Sequence, residues 1–155
     1  MAISDNINLT IKLKDGRQLG YADLGNPDAN HVIFHFHGFP GYRLEAMLLA
    51  DRAITKNVRL IGIDRPGWGL SDFKKNRTLL DWPDDVAELA DALGIDKFAV
   101  EGISGGGPYA AACAYKIPER LTSCGIISGL ASKDLEIEKK LNYFLSFEFF
   151  LGYLS

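Results

Sequence analysis

The chain has 155 residues, 17 Lys and Arg against 20 Asp and Glu, a formal charge of −3 and 47% hydrophobic residues. That length allows one domain with a sizeable core, and the absence of a dense basic cluster excludes an electrostatic footprint for nucleic acid or an anionic membrane. The expected partner is a small-molecule substrate or another protein chain.

Met1 to Asn8 lacks a cationic region followed by an apolar stretch, and no segment reaches the ~18 continuous apolar residues of a membrane span. Leu9 to Leu13 and Gln18 to Leu24, joined at Asp15-Gly16, read as a hairpin closed by Gly25-Asn26-Pro27. Strand-like runs at His31 to Phe36 and Val58 to Ile63 then alternate with helical patterns at Arg43 to Ile54 and Leu79 to Leu93. Strand Phe98 to Ile103, helix Gly105 to Lys116 stopped before Pro118, and strand Leu121 to Ile127 complete the series. Continuous apolar runs such as Val32-Ile33-Phe34 suit strands covered on both faces, so the expected class is α/β, a mostly parallel sheet with helices on both faces.

Cys113 and Cys124 lack C-x-x-C spacing and lie in apolar segments, which fits buried reduced thiols and a cytoplasmic setting. Residues 1–132 read as the core. Residues 133–155 change character: the charged Glu136 to Lys140 gives way to the apolar Phe144 to Leu154, whose only charge is Glu148. Left exposed, that run invites association, so a complementing chain or a second copy is expected to cover it.

Gly102-Ile103-Ser104-Gly105-Gly106 matches G-x-S-x-G between an expected strand and an expected helix. A strand turning abruptly into a helix strains its corner residue and brings backbones together, so side chains at Gly102 and Gly106 would collide. Ser104 then projects at the carboxyl end of the sheet, with the positive end of a helix dipole behind it. The bland alternative is a glycine-rich turn without catalysis. Gly105-Gly106-Gly107 as a phosphate cradle is disfavoured, since neither a P-loop Lys-Ser/Thr nor G-x-G-x-x-G accompanies it.

Three ordered motifs carry a resemblance: His37-Gly38-Phe39-Pro40-Gly41, Asp64-Arg65-Pro66-Gly67-Trp68-Gly69-Leu70-Ser71-Asp72, and Gly102 to Pro108. From about Leu9 to Ser132 the chain resembles the α/β-hydrolase family, in its small-molecule esterase and proline-iminopeptidase-like branch. The resemblance implies Ser104 as nucleophile, no cofactor, and an oxyanion hole formed by the backbone N–H groups of Phe39 and Gly105. Phe39 can donate, whereas Pro40 cannot. His37, Gly38, Gly102 and Gly106 would support these groups, and the Asp64 to Asp72 loop would shape the sheet edge.

His35 and His37 share a strand face and could be read as a metal pair, but no acidic or Cys cluster adjoins them in sequence. In the hydrolase reading His37 is hydrogen-bonded to backbone and is not the base. Glu101 stands where an apolar residue is common, either kept uncharged by burial or hydrogen-bonded by a neighbouring loop. Trp68 and Tyr109 are read as pocket lining or as core.

A triad in this family runs Ser, acid, His, yet the three histidines, His31, His35 and His37, all precede Ser104. Asp134 occupies a place some relatives use for the acid. The resemblance therefore implies a fold truncated after about six strands, with 133–155 starting a cap. Two function classes follow: a hydrolase of carboxylic esters or related acyl compounds through an acyl-serine, its triad incomplete in this chain, or a non-catalytic truncated hydrolase-fold protein that at most binds a ligand or partner.

Overall fold

The computed structural model describes residues 6–129. Strands β1 (Leu9–Lys12) and β2 (Gln18–Gly25) form the expected antiparallel hairpin. Gly16 turns it at φ +88°, a conformation that costs glycine nothing and most other residues about 1 kcal/mol. Arg17, just past the turn, grips the buried Asp85 carboxylate with two nitrogens, at 3.0 and 2.6 Å, and so ties the hairpin to the body of the fold.

The remaining strands are β3 (His31–Phe36), β4 (Val58–Ile63), β5 (Phe98–Ile103) and β6 (Leu121–Ile127). The sheet order is β1-β2-β4-β3-β5-β6, antiparallel up to the β2–β4 pair and parallel from there on. Helix α1 (Ala50–Thr55) covers one face, whereas α2 (Trp82–Ala92) and α3 (Gly107–Lys116) cover the other.

Side-chain alternation on the strands sorts the two cores. On β3, Phe34 and Phe36 enter the larger core with Phe98, Val100, Trp82 and Leu89, and Ile33 faces the smaller one with Leu60, Ala46, Ala50 and Ala53. Phe34 stacks on Phe98 with ring centroids 4.5 Å apart. His35 points to the Ile33 side, where a polar ring at 0% exposure must find partners.

Each helical pattern opens on a tighter 3-10 turn than the sequence period suggests: Arg43–Leu49 before α1, Leu79–Asp81 before α2 and Ser104–Gly106 before α3. At α2 the reason is local, since Pro83 suits a first helical turn and the Thr78 and Asp81 side chains form a reciprocal cap. Cys113 and Cys124 are free thiols, raised in pKa by burial, Cys124 to about 11. Among the described residues no helix is long and apolar enough to cross a membrane. Asp134 and the apolar Phe144 to Leu154 run lie outside the described residues.

The chain crosses from β3 to β4 on one side and from β4 over β3 to β5 on the other. Between the carboxyl ends of β3 and β5 the connections therefore part in opposite directions, leaving a crevice at the place where open α/β sheets bind ligands.

Candidate active site

Two of the three motifs, His37 to Gly41 after β3 and Gly102 to Pro108 at the end of β5, meet at that crevice. β5 delivers Ser104 at φ +49°, a left-handed conformation that costs a non-glycine residue on the order of 1–2 kcal/mol. The corner is possible because its neighbours have no side chains: a Cβ on Gly102 would stand 2.3 Å from the Gly106 carbonyl oxygen, and one on Gly106 would stand 2.0 Å from that of Phe36. Ser104 is half-buried, and α3 follows within one short turn.

The loop after β3 meets the corner directly. A Cβ on Gly105 would lie 3.4 Å from the Phe39 backbone nitrogen, and one on Gly38 would lie 3.7 Å from Ser104 Cβ. The structure thus brings together Ser104, Gly105, Gly38 and Phe39 from two strands that are 66 residues apart at the His35–Glu101 register pair. Phe39 turns its ring outward, 69% exposed, and packs edge-on against Trp68.

His37 is fully buried. Its Nδ1–H donates to the Gly38 carbonyl at 2.9 Å, leaving Nε2 to accept from the backbone N–H and Nε of Arg65 at 3.4 and 3.3 Å. His35 lies between two carboxylates, with Nδ1 2.9 Å from Glu101 Oε2 and Nε2 3.2 Å from Glu45 Oε1. All four ring nitrogens thus have protein partners, and among the described residues no group of three or more His, Cys, Asp or Glu is placed to hold a metal ion. Glu101 is held by a residue of the adjacent strand and not by a loop, and its Oε1 is buried without a partner among the described residues.

The sequence profile of the α/β hydrolase fold matches residues 30–153, a span that contains all three motifs. The chain belongs to the α/β-hydrolase fold family. It is 32% identical over 120 residues to a Bacillus subtilis protein provisionally named as a 2-succinyl-6-hydroxy-2,4-cyclohexadiene-1-carboxylate synthase, covering 76% of this chain and 42% of that protein. It is 30% identical over 124 residues to an uncharacterized hydrolase of Saccharomyces cerevisiae, covering 76% of this chain and 40% of that one. A thermophilic esterase from Thermogutta terrifontis, 27% identical, superposes with a TM-score of 0.66 over 86% of this chain and 49% of its own. The chain thus spans less than half the length of these relatives.

Around this α/β-hydrolase corner, Trp68 and Tyr109 take different places. Trp68 lines an open cleft of about 450 Å³ with Pro40, Gly41, Tyr42 and Gly69, beside the Phe39 loop. Tyr109 packs edge-on against Trp82 in the core and accepts a hydrogen bond from Arg77 at 3.0 Å. Two residues hold the loop: Glu45, which lies outside the three motifs, and Arg65, which stands in the second motif without an individual role in the sequence reading. Glu45 accepts the Gly38 N–H at 3.0 and 3.1 Å, and Arg65 reaches the Gly38 carbonyl at 2.8 Å. In sequence, Glu45 looks like any surface position of a helix, and Arg65 is an ordinary loop residue.

The two buried histidines make the pH dependence of stability two-sided. Burial, reinforced by the Arg65 cation, pushes His37 down to about 4, so its neutral form contributes stability that is present above 6.5 and lost as pH falls towards 4. The full loss is about 3 kcal/mol at 1.36 kcal/mol per unit. For His35 burial opposes the charge, but the Glu101 hydrogen bond and the Glu101 and Glu45 charges outweigh it and raise the pKa. Its contribution is therefore present below 6.5 and lost as pH rises through the raised value. Urea unfolding at half-unit intervals should show a drop between pH 6.5 and 4 that is shallower in His37→Asn. An unchanged slope in that variant would mean that His37 is not the group responsible.

Proposed function

We propose that this chain supplies the nucleophile and the oxyanion hole of a serine hydrolase acting on carboxylic esters or related small acyl compounds. The observation that carries the reading is Ser104, held at φ +49° on a strand-to-helix corner with the Phe39 nitrogen packed against Gly105. In this reading Ser104 Oγ attacks the acyl carbon as its proton leaves to a base. The carbonyl oxygen becomes an oxyanion that accepts from the Phe39 and Gly105 N–H groups. Collapse expels the alcohol and leaves an acyl-serine, which water then cleaves. Each donor is worth about 3–4 kcal/mol in such sites. The esterase and hydrolase names among the relatives support the reaction class.

Base and acid come, in this proposal, from polypeptide outside these 155 residues. His35 and His37 are committed as described, and His31 lies at the opposite, amino-terminal end of β3. The substrate is a small molecule, and a complementing chain or a second copy covers the apolar run from Phe144 to Leu154. The free thiols support a reducing, cytoplasmic setting.

The test pairs two substitutions. The chain alone is expected to hydrolyse p-nitrophenyl acetate slowly, and Ser104→Ala to remove what turnover there is. Ser104→Gly should be equally inactive but more stable by about 1 kcal/mol, since glycine adopts the corner's φ freely. A robust rate untouched by Ser104→Ala would overturn the nucleophile assignment. Because all three histidines precede Ser104, a second reading stands beside the first: a non-catalytic protein of this fold that binds an acyl ligand or a partner. Its signature is a rate at the buffer level in wild type and variant alike, with ligand binding retained.

A further inference from the structure

Arg65 is 4% exposed, and among the described residues no acidic side chain forms an ion pair with it. Burying a cation without a counter-charge is costly, so the contacts that replace one are informative. Nη2 donates to the Gly38 carbonyl at 2.8 Å and Nη1 to the Gly105 carbonyl at 2.9 Å. Nε donates to His37 Nε2, and the guanidinium centre lies 4.8 Å from the Tyr109 ring and 5.7 Å from that of Trp68. Carbonyl dipoles and ring faces thus take the place of a carboxylate.

The two carbonyls belong to the two loops that carry the proposed oxyanion donors. The Gly38 C=O and the Phe39 N–H are two ends of one trans peptide and point in opposite directions. A guanidinium fixed on the carbonyl therefore fixes the direction of the N–H on the far side. Glu45 holds the preceding N–H, that of Gly38, so this residue is gripped by a carboxylate on one side and a guanidinium on the other. Through Gly105 the same guanidinium spans to the nucleophile corner and sets the separation between the two loops.

We infer that Arg65 is a positioning residue of the oxyanion hole: it bridges the Gly38 and Gly105 loops and keeps a positive charge, in ion-pair contact with no carboxylate among the described residues, behind the place where the oxyanion forms. The inference rests on the Ser104 reading above. Only the planar fork of arginine reaches both carbonyls and His37 together, because an ammonium is a single point charge. A charge held there favours the transition state over the neutral substrate, as preorganised dipoles do.

The test needs no turnover. Butylboronic acid is titrated into the 15N-labelled chain: Ser104 Oγ adds to the trigonal boron, its proton passes to buffer, and the tetrahedral boronate mimics the oxyanion. The wild type is expected to bind with displacement of the Phe39 and Gly105 amide resonances, and Ser104→Ala is expected not to bind. Arg65→Met should bind about ten- to a hundredfold more weakly, with those two amides already displaced before ligand is added. Arg65→Lys keeps the cation and loses the bridge, so it should recover part of the affinity, and it supplies a folded variant if the Met protein does not fold.

Wild-type boronate affinity in folded Arg65→Met or Arg65→Lys, or ligand-free Phe39 and Gly105 amides unmoved in both, would overturn the inference. Boronate binding that survives Ser104→Ala counts against the Ser104 reading alone. The ligand-free amide positions then still decide whether Arg65 holds the two loops.

Discussion

Gly106→Ala is expected to yield no stably folded protein, or one weakened by more than about 4 kcal/mol, the range reserved for severe core overpacking. A Cβ at Gly106 would stand 2.0 Å from the Phe36 carbonyl oxygen, 2.8 Å from its carbon and 3.0 Å from the His37 oxygen. All three atoms are backbone at the end of β3, so relief requires moving a central strand that is paired on both edges. Gly94→Ala is the control. Its φ of +68° is left-handed, but nothing lies within 4 Å of the added Cβ, so only backbone strain of about 1 kcal/mol applies. Urea unfolding of the two variants separates close approach from strain. A Gly106→Ala protein within about 1 kcal/mol of wild type would mean that β3 and the corner are not in contact as described.

Asp64→Ala is expected to cost about 3–5 kcal/mol, the usual penalty for removing one partner of a buried ion pair. Asp64 is 0% exposed and accepts from the Arg43 backbone N–H at 2.7 Å, from Arg43 Nη1 at 2.9 Å and from the Leu70 N–H at 2.8 Å. Arg43 is itself 5% exposed, so without Asp64 its charge is left with the Ile7 carbonyl, the Asn8 side chain and the face of the Tyr42 ring, and with no carboxylate among the described residues. Adding Arg43→Met should recover part of the loss, because it removes the stranded charge. A double variant destabilised by the sum of the two single effects would show that the charges are not coupled. Arg65 follows Asp64 directly, so Asp64→Ala should also loosen the bridge between the Gly38 and Gly105 loops.

The parallel strands were legible in the sequence to the residue: β3, β4, β5 and β6 begin and end where their apolar runs do. Runs buried on both faces leave little ambiguity when Gly, Pro and charged residues punctuate them. The Ser104 corner was legible for a related reason, since only small residues fit at Gly102 and Gly106. Helix starts were less so, because 3-10 turns and α-turns share much of one hydrophobic period.

The brace around the loop was least legible. Glu45 and Arg65 act on backbone atoms of Gly38, and backbone partners leave no trace in residue identities. His35 and Glu101 did leave one. Glu101 is the lone ionisable residue of β5, His35 stands inside the apolar run Val32 to Phe36 of β3, and the two strands pair them directly. Knowing that these strands are adjacent would have turned two oddities into one buried pair.

The left-handed backbone at residue 104 also limits which nucleophiles this corner could ever accept. Cysteine carries no branch at Cβ and aspartate belongs to the residue types enriched at positive φ, so either could replace serine without rebuilding the turn. Threonine is β-branched and would be a steric outlier there, although its hydroxyl offers the same chemistry. The geometry of the turn filters the reactive group before its reactivity is tried, and changes of chemistry on this scaffold are thereby steered towards unbranched side chains.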